Sequence, residues 1–171
     1  MSSYSKLIIF IIVLIFISAA IVLIDSSVDS MNKTMPEISD LIVSGDKDYN
    51  DAVDLVNERK FNEAMAKANS AGDSFNNSLN KLRDIKGNYS SDINDVQTKY
   101  IDTVINELHL KLRAVDKLKE AIECFKVNSN STGTSYAGEA NELIYEALQY
   151  QNQRDSIVND NPKLFKQDSF I

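Results

Sequence analysis

His109 and Cys124 are the lone histidine and lone cysteine of this 171-residue chain, and they set its chemical range. His109 lies between Leu108 and Leu110, with no second histidine or cysteine at i+3 or i+4 to share a metal, and reads as a surface or boundary histidine. Cys124 stands beside Phe125, slightly off an apolar stripe. It is a buried inert thiol on the plain reading and an intermolecular disulfide on the sharper one, because an odd cysteine in an oxidising compartment can pair only between chains. One of each type cannot furnish an ordinary zinc site, a disulfide framework or a Cys/His relay. The carboxylates are too evenly spread to single out an acid/base pair; they recur about every sixth residue, as on solvated helical faces. Glycine-rich phosphate loops, the GxSxG elbow and HExxH are missing from the sequence. No catalytic, cofactor-binding or metal-ligating residue is assigned, no cofactor is expected, and the chain is not expected to be an enzyme.

Four sequons are present, at Asn32, Asn76, Asn88 and Asn130, little more than the asparagine and hydroxyl content supplies by chance. Asn88 and Asn130 fall in expected loops and are the candidate glycan acceptors, whereas Asn76 falls in an expected helix. Charge excludes another class of partner. After Ile24 the chain carries 25 acidic and 17 basic residues, a formal net charge of −8, and its basic residues are interleaved with acids. Phosphate backbones are repelled by such a surface, so no nucleic-acid role is expected.

These residues must be positioned by something, and the first element is the most distinct. Leu7 to Ile24 reads LIIFIIVLIFISAAIVLI, 18 residues without a charge and with Ser18 as the single polar one. As a helix it is about 27 Å long, close to the thickness of a bilayer's hydrocarbon layer. The spacing predicts a transmembrane signal-anchor over 7–24 that holds the protein to the lipid bilayer. Ser18-Ala19-Ala20 offers a small-x-small cleavage site, so release after Ala20 is the rival reading; the continuing run Ile21-Val22-Leu23-Ile24 and the weakly basic leader favour retention. Lys6 and the amino group on the short side, against Asp25, Asp29, Glu37 and Asp40 with Lys33 on the long side, place the N-terminus inside. The expected location is therefore the cell membrane, single-pass, with residues 1–6 as a cytoplasmic leader and the C-terminal domain extracytoplasmic.

Beyond Ile24 the apolar residues follow helical spacing nearly throughout, which predicts an all-α fold: an N-terminal transmembrane helix, then an antiparallel bundle of about four helices. Residues 25–35 read as a polar stalk, 36–160 as the acidic bundle and 161–171 as a tail. Pro36 marks a helix start or kink, Gly45-Asp46-Lys47 a break, and Asp48 an N-cap for a short helix to Glu58. Phe61, Ala64, Ala68, Ala71, Phe75, Leu79 and Leu82 form the stripe of a helix ending near Gly87, with Ala66 and Gly72 adding to a small-residue middle that lets a neighbour approach. The segment Ala52 to Ala71, around Lys60-Phe61-Asn62-Glu63-Ala64, resembles one tetratricopeptide unit. The likeness covers about twenty residues and does not recur, so an ordinary helical hairpin is expected. The longest element runs from Asp92 to Val127, its face marked by Ile93, Val96, Tyr100, Val104, Leu108, Leu112, Val115, Leu118, Ile122 and Phe125. Asp95 with Lys99 and Glu107 with Lys111 are expected to support its exposed side as i,i+4 pairs. NSNSTGT, Asn128 to Thr134, reads as a loop, and Ser135 as the cap of a last helix lined by Ala137, Ala140, Leu143, Ile144, Ala147, Leu148 and Gln151, which ends before Asn161-Pro162. The tail, with Leu164, Phe165, Phe170 and Ile171, is expected to fold back or fray.

The reading that results is a membrane-anchored extracytoplasmic helical bundle with a tethering or complex-assembly role, meeting a protein partner or another copy of itself through helical faces. A ligand-sensing bundle is the alternative. The layout is similar to the periplasmic part of chemoreceptor-type sensors, but the second apolar stretch that would return the chain through the membrane is missing, so sensing requires a separate membrane partner. A secreted binding protein follows if cleavage occurs after Ala20.

Overall fold

The computed structural model describes residues 23–24 and 29–166, with side chains from 33 to 165. Four long helices account for most of it: α1 Asp29–Asn57, α2 Phe61–Asn88, α3 Asp95–Lys126 and α4 Asn130–Asp160. Short strands β1, Leu23–Ile24, and β2, Phe165–Lys166, pair antiparallel, with Leu23 opposite Lys166 and Ile24 opposite Phe165. A 3-10 turn, Pro162–Leu164, links α4 to β2. Each helix packs on the next, α1 on α2, α2 on α3 and α3 on α4, and α1 meets α3 at fewer positions. The all-helical bundle therefore stands. The expected span lies outside the described residues except for Leu23 and Ile24, which are extended, and among the described residues no helix is long and apolar enough to cross a membrane.

Period explains the core. Ile38, Ile42, Tyr49, Val53 and Val56 on α1, Ala64, Ala68, Ala71, Phe75, Leu79 and Leu82 on α2, and Tyr100, Val104, Leu108, Val115, Leu118, Ile122 and Phe125 on α3 are all buried. The small-residue middle of α2 is narrower than expected, since Ala66 faces solvent and Gly72 is half-buried. The α1–α2 and α3–α4 hairpins close by the same device. Lys60 N–H donates to the Leu55 carbonyl and Arg59 N–H to Val56; Ser129 N–H donates to Cys124 and Asn128 N–H to Phe125. These paired bonds cap the preceding helix and need a left-handed residue, supplied by Arg59 (φ 62°) and Asn128 (φ 59°). At the other end Asn94 caps α3: its side chain accepts from Gln97 N–H while the Gln97 side chain accepts from Asn94 N–H.

Several expected boundaries are corrected. α1 passes unbroken through Pro36 and through Gly45-Asp46-Lys47, because Gly45 lies where the Phe75 ring of α2 fits against the α1 backbone; a Cβ there would sit 2.5 Å from the ring. Asp48 is mid-helix and caps nothing; its carboxylate accepts from Lys67 Nζ at 2.6 Å and Ser70 Oγ at 2.5 Å, tying α1 to α2. The first turns of α4 take up most of the expected loop at 128–134, since the buried Gly133 admits the Phe125 ring as Gly45 admits Phe75, and Ser135 is an exposed interior residue of that helix. Met35, at the end of the expected stalk, is fully buried in the core. The tail folds back as far as Phe165, whose buried ring lies against Tyr100 with centroids 5.0 Å apart.

Candidate functional site

Four charged side chains meet inside the bundle. Lys111 of α3 projects its ammonium into the core, where it lies 2.8 Å from Asp46 Oδ1 of α1 and 2.9 Å from Glu107 Oε1 one helical turn earlier. Arg154 of α4 closes the chain, with Nη1 at 3.2 Å from Glu107 Oε2. The Phe75 ring of α2 completes the cage, its centroid 5.5 Å from Lys111 Nζ. The cluster thus draws on all four helices, and its two acids and two bases cancel. Lys111, Glu107 and Arg154 expose no more than 3% of their side chains, while Asp46 keeps 22%.

Burial acts on each charge, and the neighbours decide the outcome. For Glu107 burial works to raise the pKa, but Lys111 and Arg154 outweigh it and hold the carboxyl below its ordinary value. Burial works to lower Lys111, yet Glu107 and Asp46 hold it above the usual lysine value. Asp46 goes the other way: burial prevails over its contact with Lys111 and raises its pKa, a shift to which the nearby Glu107 charge adds. Asp46 is therefore the one acid of the network whose charged form is disfavoured on balance. One turn on, Tyr49 is fully buried, and its hydroxyl has no hydrogen-bond partner among the described residues.

The pairing of Glu107 with Lys111 is as expected, but its place is not. It faces the core instead of solvent, because α4 and α1 bring Arg154 and Asp46 to the same spot. The signal was present in the spacing. Val104, Leu108, Lys111, Val115 and Leu118 step by four and three residues, so Lys111 falls on the apolar stripe. Arg154 likewise continues the series Ile144, Ala147, Gln151 beyond the expected end of the inner face, and Gln151 and Arg154 are both buried.

The residues singled out from sequence stay apart from this cluster. His109 is exposed on α3, with Nε2 3.3 Å from an Arg83 guanidinium nitrogen. Cys124 is a half-buried free thiol near the C-terminus of α3. Asn88 is the last residue of α2 and Asn130 the first of α4, both exposed and both helical instead of in the expected loops. A shallow groove of about 390 Å³ runs between α3 and α4, lined in part by Lys99, Asp102, Asn106, Tyr150 and Gln153. Among the described residues no three His, Cys, Asp or Glu side chains gather as a metal site would require.

This geometry defines a class of fold, an antiparallel four-helix protein centred on a neutral buried charge network. Comparison with family models, with curated proteins and with solved structures finds no match to this chain.

Proposed function

We propose that the protein is a membrane-anchored, extracytoplasmic helical bundle that tethers or assembles partner proteins and carries out no catalysis of its own. The observation that supports this most is the uncharged 18-residue stretch from Leu7 to Ile24 ahead of a strongly acidic helical domain. A network like the one at Lys111 fits such a role better than a reactive one. Every charge in it is met by an opposite charge, and little of it faces solvent, so it fixes how the helices meet instead of engaging a substrate.

Protease treatment of intact cells tests the topology. Digestion of the bundle without lysis is the expected result; protection until lysis places the domain inside and overturns the reading. Crosslinking in intact membranes then tests the role, with recovery of a defined protein partner or of a second copy expected. A full-length preparation that stays soluble without detergent would overturn the anchor altogether.

A further inference from the structure

We infer that one end of the bundle rests directly on the lipid headgroup layer, and that the bundle is strapped there rather than held off on a stalk. This inference rests on the anchor proposed above.

Residues 7–22 are left for the bilayer, because the last two residues of the expected stretch, Leu23 and Ile24, form β1 of the folded domain: Ile24 pairs with Phe165 and Leu23 with Lys166. α1 begins at Asp29, five residues after Ile24, and five residue steps span at most about 18 Å. The chain thus leaves the expected span and joins the bundle at once. The topology decides which end it joins. α1 starts there, α2 ends there, α3 starts there and α4 ends there, so the connection between α2 and α3 and the segment after α4 share that end with β1. Phe165 fixes the strap to the core through its contact with Tyr100.

The chemistry of that end suits headgroups and not hydrocarbon. Among the described residues the exposed ones at that end include Ser90, Asp92, Asp95, Asp160 and Lys163, hydrogen-bonding or charged, and none of the described exposed residues there is a large apolar side chain that would insert more deeply. The opposite end, with the Arg59 and Asn128 turns, stands one helix length away, about 48 Å for the 32 residues of α3. It is the end left free for a partner.

The test uses the full-length chain in phosphatidylcholine vesicles, with a donor dye placed by Ser91→Cys or Ser131→Cys in a Cys124→Ser background and an acceptor on the lipid headgroups. Circular dichroism confirms that each variant keeps its helices. Energy transfer several-fold greater from position 91 than from position 131 is expected. A flexible twelve-residue Gly/Ser insertion between Val22 and Leu23, with a root-mean-square reach of about 19 Å, should remove most of that difference. Equal transfer from both positions, greater transfer from 131, or a difference that survives the insertion overturns the strap while leaving the anchor intact. A chain that fails to float with the vesicles overturns the anchor, and this inference with it.

Discussion

Glu107 is the residue on which the central network turns, since it is the shared partner of Lys111 and Arg154. Glu107→Gln leaves two buried cations with one partly exposed carboxylate, and should cost about 3–5 kcal/mol in denaturant unfolding. Asp46→Asn should cost clearly less, because burial already raises the pKa of that carboxyl and its ionised form is held against desolvation. The signs of the two acids differ. Glu107 has a folded pKa below its ordinary 4.5, so its contribution is complete above that value and is lost as pH falls through the lower folded pKa. Asp46 has a folded pKa above 3.8, so its own contribution to stability grows as pH falls from above the raised value toward 3.8. Subtracting the Asp46→Asn unfolding profile from the wild-type profile should expose that rise; a flat difference would show that Asp46 titrates alike in both states. Tyr49→Phe removes a buried hydroxyl that lacks a partner among the described residues, and should leave stability unchanged or raise it by about 1 kcal/mol.

Among the elements, two glycines in helices should respond to alanine in opposite ways. A methyl group added at Gly138 would meet nothing within 4 Å, so Gly138→Ala gains helix propensity and should stabilise by about 1 kcal/mol. At Gly45 the same change drives a Cβ to 2.5 Å from the Phe75 ring, which also supports Lys111, and should destabilise by about 1–3 kcal/mol. Thermal unfolding of the two variants side by side checks the contrast. Arg59 occupies the left-handed position that ends α1, where glycine is the usual residue. Arg59→Gly should therefore stabilise by roughly 0.5–1 kcal/mol, the relief of strain exceeding the added freedom of the unfolded chain. These elements also show what was legible. The four helical regions, the two hairpins and most of the core followed from spacing, though Ile85, Ile101, Ala114 and Ile157 are buried without having been placed on an apolar face. The break at Gly45-Asp46-Lys47 and the loop at Asn128 to Thr134 did not survive, because turn-forming composition is a local preference that packing of Phe75 and Phe125 overrides.

For the molecule as a whole, the helices form two hairpins joined through α2 and α3, with the Asp46–Lys111 contact adding a link from α1 to α3 across the centre. Surface pairs such as Lys81–Glu37 and Lys86–Asp102 lie on the same assembly but are exposed and worth little each. Raising salt should accordingly leave the unfolding midpoint nearly unchanged in the wild type, since the network at Lys111 is buried and poorly screened. A steep fall in the midpoint with salt would show that the surface pairs matter more than their exposure implies.

Sequence alone determined the helical periods, the acidic character of the domain and the apolar stretch that precedes it, because each is a property of residues close together along the chain. It also placed Glu107 beside Lys111. Whether that pair met water or other charges depended on which helices came to lie over it. Only the tertiary structure decided this, by bringing Asp46 from 65 residues before Lys111 and Arg154 from beyond the α3–α4 turn to one buried point. An i,i+4 pair has the same spacing on a solvated face as in a core. What distinguishes the two is the desolvation imposed by distant segments; the apolar stripe on which Lys111 falls shows locally that the pair faces inward, but not which charges meet it there.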